Sequence, residues 1–307
     1  MGSVPRQATV ILAAALSLGT PSSPHAQTME PRAYANSPIG LNFLIAGYGY
    51  LWGDVLVDPS LPIKDLDAEV HSAVVTYARV LDFWARSGTL ALQLPYAWLS
   101  ASGEVEGQPR SVDRSGVGDV TLRVSVNLYG APALSLQEFR DYRQDTIVGV
   151  SLVVTAPAGQ YDSERLINIG TNRWSFKPEA GISKALGQWT LEAAAGVTFF
   201  TDNDEFLGDN VREQDPLHSL QGHLIYTFNP RLWAALDATY YTGGRTSVNG
   251  ARNDDRQENS RWGATLARTL DKNNSIKLYF SSGVTARTGT DFHGLGMAWQ
   301  YRWGVGL

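Results

Sequence analysis

The chain has 307 residues, no cysteine, and 30 acidic against 25 basic side chains, for a net charge of −5. No basic stripe is available to bind nucleic acid, and the missing cysteines exclude a disulfide framework and Cys-ligated zinc or iron–sulfur sites. Thirty glycines, 13 tyrosines and 9 tryptophans suit strands joined by tight turns better than helices.

Residues 1–26 read as an export signal. Arg6 supplies a positive start, "ATVILAAALSLG" (8–19) an apolar core, and "TPSSPHAQ" leads to cleavage after Ala26. The apolar run is too short for a membrane-spanning helix, which needs about 20 residues. No later run comes close. Residues 27–38, "QTMEPRAYANSP", are polar with two prolines and lead into the first strand. They are expected either to plug a lumen or to hang in the periplasm.

Residues 39–307 are predicted to form one domain of strands with period-2 alternation. The strands fall at 39–51, 69–84, 88–99, 117–129, 146–157, 173–185, 188–201, 217–228, 231–243, 260–270, 274–287 and 291–303. In 88–99, Leu90, Leu92, Leu94, Tyr96 and Trp98 oppose Thr89, Gln93 and Ala97. In 117–129, Leu122, Val124, Val126 and Leu128 oppose Thr121, Arg123, Ser125 and Asn127. In 231–243, Leu232, Ala234, Leu236 and Tyr240 oppose Asp237 and Thr239. The last strand sets Leu295, Met297, Trp299, Tyr301 and Trp303 against Gly296, Ala298, Gln300 and Arg302. The segment 69–84 has the weakest pattern, because either phase leaves a polar residue on the apolar side. Most of these segments exceed the usual soluble strand of about 5–6 residues and reach the 9–11 that cross a bilayer on a tilt.

Connections nearly alternate between short (85–88, 186–188, 229–230, 271–274) and long and polar (52–68, 100–116, 158–172, 202–216, 244–259). That is the pattern of outer-membrane barrels. Two places break it. The segment 130–145 is long where a turn is due, and 134–143 is predicted as a short periplasmic helix; "TGT" (288–290) is short where a loop is due. "TFFT" (198–201) and "TYYT" (239–242) precede long loops, while Trp189 and Trp233 follow short turns. These aromatics are expected to form girdles at the two interfaces. The expected fold is all-β: a transmembrane antiparallel up-and-down barrel of about 12 strands, with both termini periplasmic. It belongs in the outer membrane of a Gram-negative bacterium, with outer-membrane lipid and lipopolysaccharide outside it and a small-molecule solute inside. The barrel-assembly machinery would insert it, and nucleic acid is not a partner.

Alternation places Arg123, Lys177, Glu179, Glu192, Asp237, Lys277, Arg287 and Arg302 toward the lumen. They are expected either to line a solute path or to pair with one another and fill the barrel. Their near balance of sign predicts no strong preference between anions and cations. Phe200, Trp233 and Tyr241 would also point inward. Twelve strands lie between small filled barrels and the open porins of 16–18 strands, so the lumen should be narrow or plugged. Ser219 and His223 share a face but stand about 13 Å apart at roughly 3.3 Å per residue, too far for a nucleophile and its base. The acidic loop 201–210 lacks the glycine of an EF-hand loop. No catalytic residue, cofactor or metal is assigned.

The stretches "SPIGLNFLIAGYGY" (37–50), "GDVTLRVSVNLYGAPAL" (118–134), "LINIGTNRWSFKPEAGISKALG" (166–187), "REQDPLHSLQGHLIYTF" (212–228), "DATYYTGGRT" (237–246) and "AWQYRWGVGL" (298–307) resemble one family. It is the family of proteins of the meta-cleavage pathway of phenol degradation. The resemblance implies an outer-membrane β-barrel and uptake of aromatic or other hydrophobic small molecules, and brings no catalytic motif. One departure from the general barrel pattern is the final residue, Leu307, with Trp303 four positions earlier. Two functions follow as expectations: a passive channel for small hydrophobic or aromatic solutes, or a structural or adhesive barrel with a closed lumen.

Overall fold

The computed structural model describes residues 29–53, 63–105, 107–287 and 292–304, and of Lys64, Asp65 and Leu66 the backbone alone. The expected signal at 1–26 and the short connection at 288–290 lie outside these residues. Twelve long antiparallel strands close into a barrel. They are β1 (Asn42–Gly53), β2 (Ile63–Phe83), β3 (Arg86–Val105), the collinear pair β4 (Gln108–Val117) and β5 (Val120–Tyr129), β6 (Thr146–Ala156), β7 (Ser175–Leu186) and β8 (Trp189–Phe200). After β8 come two short strands, β9 (Asn203–Phe206) and β10 (Asn210–Gln214), and then β11 (Leu217–Asn229) and β12 (Leu232–Gly243). Two more short ones, β13 (Thr246–Val248) and β14 (Ala251–Arg252), precede β15 (Gln257–Thr269), β16 (Asn274–Thr285) and β17 (Phe292–Trp303).

Each long strand pairs with its sequence neighbours, and β1 pairs with β17 from Asn42↔Trp303 to Gly53↔Phe292, which closes the ring. The lower part of β3 pairs with β5 and its upper part with β4, so β4 and β5 act as one strand broken at Gly118–Asp119. Closure leaves no sheet edge in the hydrocarbon, where an unpaired backbone group would find no water. No helix among the described residues is long and apolar enough to cross a membrane.

The alternation appears residue by residue. In β17, Leu295, Met297, Trp299, Tyr301 and Trp303 are exposed, while Gly296, Ala298, Gln300 and Arg302 are buried. Exposed aromatics gather near both ends of the wall. At the end where β1 starts stand Tyr77, Tyr301 and Trp303, with Trp189 against Tyr226. At the other end stand Tyr96, Trp98, Trp174, Phe199 and Tyr240. These are the two girdles. Trp233 is not part of one: it is 1 % exposed and faces the lumen, as does Tyr241, while Tyr240 and Phe199 face outward.

The weak pattern of 69–84 also finds its reason. The buried row of β2 is Ala68, Val70, Ser72, Val74, Thr76, Ala78 and Val80, which is mostly apolar although it faces inward. The outward row carries Glu69 near one end and Arg79 near the other. Neither face is purely polar or purely apolar, so neither phase dominates in the sequence.

Several connections differ from expectation. The segment 134–143 holds one 3₁₀ turn, Glu138–Arg140, in place of a helix. Ser135 and Glu138 bond each other there, the side chain of each meeting the other's backbone or side chain. The expected loop 100–116 is largely β-hairpin, because β3 and β4 run on past the bilayer. The loops 202–216 and 244–259 contribute β9, β10, β13 and β14 to a separate four-stranded sheet. At the opposite end the two-residue turn Trp84–Ala85 has positive φ at both positions (53° and 61°), the geometry that matches strand twist in a tight hairpin. Asp82 Oδ1 accepts the Ala85 N–H at 2.7 Å and holds that turn.

Candidate solute path in the lumen

The lumen is lined by two kinds of wall. Along β1, β2 and β3 it is apolar. Toward the end where β1 starts, Leu41, Phe43, Ile45, Val74, Ala78, Val80 and Ala298 form one buried cluster. Toward the outer end Leu51, Ala68, Val70, Ala97, Leu99, Ala101 and Phe292 form another, completed by Ile167 and Ile169 from the 157–174 connection. That connection folds inward because Asp119 anchors it. Asp119 accepts the Gly159 N–H at 2.9 Å with one oxygen, and the Thr171 N–H at 2.9 Å and hydroxyl at 2.6 Å with the other.

Across from this wall the middle of β5 to β15 is polar and tightly bonded, with buried apolar groups toward the two ends, Ile225, Trp233, Ala235 and Ala267 at one and Leu217 and Tyr241 at the other. Residues 29–34 run inside the barrel against these strands, while Ile39 and Leu41 pack on the apolar wall. Glu30 pairs with Arg123, whose other amino group donates to Glu179 at 3.3 Å. Tyr34 donates to the same Glu179 oxygen at 3.0 Å, while Lys177 (2.9 Å) and Gln221 (3.0 Å) reach its other oxygen. The Arg32 backbone N–H meets Glu192 at 2.6 Å, and Ser183 donates to the other Glu192 oxygen at 2.8 Å. The Arg32 guanidinium donates to Thr227 at 2.9 Å and lies 4.8 Å over the Trp233 ring. Burial lowers Arg32 to about 10, against the opposing pull of Glu192, so it stays cationic at neutral pH. Burial first, and then Glu179, keeps the Tyr34 phenol protonated by pushing its pKa up. Gly149 and Gly181 make the seat for Tyr34, because a Cβ on either would overlap its ring.

The eight residues expected in the lumen separate into groups. Arg123, Lys177, Glu179 and Glu192 come together around residues 30–34. Asp237 is buried beside them on β12, with His223 Nδ1 at 2.7 Å and the Thr265 hydroxyl at 2.9 Å. Lys277 is half-buried on β16. Arg302 is buried at the periplasmic end, donating to the Lys272 carbonyl at 2.7 Å. Arg287 departs from the expectation: it lies past the end of β16, exposed, with its backbone N–H on Asn259 and its guanidinium 3.3 Å from Asp254. The strand ends at Thr285, so the alternation that aimed Arg287 inward no longer applies there. Among the described residues no three acidic or histidine side chains converge as a metal site, and Asp202, Asp204, Glu205 and Asp209 are not all buried together.

Three further buried cations are not among the expected lumen residues. Arg173, Arg212 and Arg261 lie in the outer part of the molecule, their guanidinium carbons 4.4, 5.7 and 3.6 Å from the ring centres of Phe200, Phe206 and Phe292. Strand parity would have given Arg261. The same parity would have given Arg173, which falls with Lys177 and Glu179 in the expected strand 173–185, whereas Arg212 lies on β10 within the expected loop 202–216, where no alternation is expected.

A model built for a whole protein family matches residues 56–301. The chain belongs to the family described as "Putative MetA-pathway of phenol degradation". Among solved structures, this family member resembles the COG4313 outer membrane channel from Pseudomonas putida F1. The two share 21 % identity over 89 % of this chain and 99 % of that one, with a TM-score of 0.73. It also resembles the beta domain of the Bordetella autotransporter BrkA, at 12 % identity over 86 % and 100 % of the two chains and a TM-score of 0.51. At these identities the likeness is one of fold. No curated protein matches the chain. Family membership, a closed barrel and an apolar exterior with two girdles place the protein in the outer membrane of a Gram-negative bacterium.

Proposed function

We propose that this protein is a passive channel for small hydrophobic or aromatic solutes, held narrow by residues 29–41. The observation that carries the reading is the apolar wall of β1–β3. Lipid demands an apolar exterior, but nothing about lipid demands apolar side chains inside. An interior row of Phe43, Ile45, Val70, Val74, Val80 and Leu99 lowers the cost of moving an apolar solute past it. The similar Pseudomonas protein is an outer membrane channel, and the family is described by phenol degradation; both support the same reading. The charged residues opposite serve mainly to bind residues 29–41, and so set the width of the path. Export through residues 1–26 and insertion by the barrel-assembly machinery, with lipopolysaccharide against the outer girdle, belong to this reading. Catalysis does not: His223 is engaged by Asp237, and Ser219 donates to the Gly196 carbonyl at 3.4 Å rather than to a base.

The dense bonding of residues 29–41 also favours a second reading, a structural or adhesive barrel with its lumen closed. Liposome swelling separates the two. The full mature protein should admit small neutral aromatic solutes, and removal of residues 29–38 should speed entry. If neither form swells liposomes, the closed barrel is the correct reading.

A further inference from the structure

Where the outward rows of the barrel carry charge, its sign follows the end of the wall. Glu69 and Glu258 are exposed toward the outer end, whereas Arg79, Lys184 and Arg268 stand on the outward face toward the periplasmic end. A cation on the lipid face is costly at mid-bilayer and nearly free at the interface, so these three positions mark the level of the headgroups.

The three differ in company. Lys184 is paired with Asp145, and Arg79 has Asn42 and Leu90 beside it in register. Arg268 has two cationic neighbours. Its register partner on β12 is Leu232, directly after Arg231, and the Arg231 carbonyl accepts the Thr269 N–H at 2.8 Å. Lys272 lies in the turn that follows β15, where its carbonyl accepts from Arg302 Nε at 2.7 Å. Arg231, Arg268 and Lys272 are all exposed, and among the described residues no ion pair joins any of them to a carboxylate. The nearest acid in sequence, Asp271, is taken up inside its own turn by the Asn273 and Asn274 N–H groups, both at 2.8 Å, and by the Asn274 amide.

Apolar surface adjoins the cluster. Phe228, Leu266, Leu270 and Leu278 are about half exposed, and the outward row of Arg268 continues through Ile276 to Trp299 of the girdle. A ligand that fits must lie outside the barrel, with anionic oxygens at headgroup level and an apolar body running toward mid-bilayer. A phospholipid has that shape, and net charge selects among phospholipids. A zwitterionic headgroup would bring a fourth cation to three, whereas an anionic one brings only the phosphate.

We propose that Arg231, Arg268 and Lys272 hold the phosphate of an anionic phospholipid in the periplasmic leaflet, its acyl chains against Leu266 and Leu278. Guanidinium groups suit this role because their paired N–H donors match two phosphate oxygens at once. The site does not depend on what crosses the lumen.

The test is native mass spectrometry of the mature protein in detergent, titrated in turn with phosphatidylglycerol and phosphatidylcholine of the same chain length. Phosphatidylglycerol should be retained at several-fold lower lipid concentration. Each cation beside an anionic lipid strengthens binding about five-fold, so Arg268→Gln and Lys272→Gln should each lose about that much. Adding Arg231→Gln to both should bring phosphatidylglycerol down to the level of phosphatidylcholine. Arg79→Gln, at the same end of the wall but outside the cluster, should bind as the wild type does. Every variant is checked for the heat-modifiable migration of a folded barrel; the single changes keep the test intact should the triple change fail to fold. Equal retention of the two lipids by the wild type overturns the proposal. So does unchanged retention of phosphatidylglycerol by the folded cluster variants, or an equal loss in Arg79→Gln.

Discussion

The two walls of the lumen come from strands that look alike on their outer side. β3 and β12 both show leucine and aromatic residues to lipid, Leu92, Leu94 and Trp98 on one and Leu236 and Tyr240 on the other. Inside, β3 and its neighbours present Ala97, Leu99 and Val74, whereas the middle of β12 and its neighbours presents Asp237, His223 and Thr265. The outer face is therefore dictated by the solvent and the inner face by use. Lipid admits one kind of surface. An enclosed lumen admits either, provided its buried polar groups are bonded, and the polar wall meets that condition largely through residues 29–41.

Removing residues 29–38 should disturb the two walls most unequally. The polar wall would lose its partners while the apolar wall would not, and liposome swelling should rise several-fold as the path widens. Next come two neighbouring positions on β5. Leu122→Arg puts a charge on the lipid side and should cost about 2–4 kcal/mol in unfolding experiments in lipid. Arg123→Leu leaves Glu30 and Glu179 without their shared cation, and a broken buried pair costs about 3–5 kcal/mol. The second loss should shrink when Glu30→Gln is added, and the first should not. If Leu122→Arg unfolds no more readily than the wild type, the lipid-facing assignment is wrong.

Smaller effects are expected elsewhere. Gly149→Ala or Gly181→Ala should unseat Tyr34 and speed swelling modestly, with little change in folding; no change in swelling would mean that Tyr34 does not set the width. On the apolar wall, Val74→Thr keeps the shape and adds a hydroxyl. It should slow entry of an apolar solute slightly and leave that of a sugar unaltered. The smallest effect concerns pH at the periplasmic turn 270–273. Hydrogen bonds from the Asn273 N–H and from Asn274 hold Asp271 below its ordinary pKa. The turn is therefore supported above the ordinary carboxylate range, and that support fades as pH falls through the lowered value. Hydrogen exchange at Asn273 should quicken, relative to the wall, on acidification.

Much of the barrel was legible because period-2 alternation reports the side of the wall directly. Leu122 and Arg123, or Met297 and Ala298, declare their faces from spacing alone. The signal failed where its premise failed. Arg287 lies beyond its strand, Arg212 sits on a short strand inside an expected loop, and β2 carries apolar residues on both sides. For Trp233 the inward direction held and the girdle did not: a tryptophan after a turn suits either, and Arg32, which lies over its ring, is far away in sequence.

Residue spacing was enough to set the number of strands, their approximate limits and which residues meet lipid, because strand geometry sends successive side chains to opposite sides whatever the rest of the chain does. It took the folded barrel to show that residues 29–41 enter the lumen, that 157–174 folds onto the apolar wall, and which inward charges meet. Those outcomes depend on pairs such as Arg32 and Glu192, 160 positions apart, which a closed ring brings within 2.6 Å and no local pattern encodes.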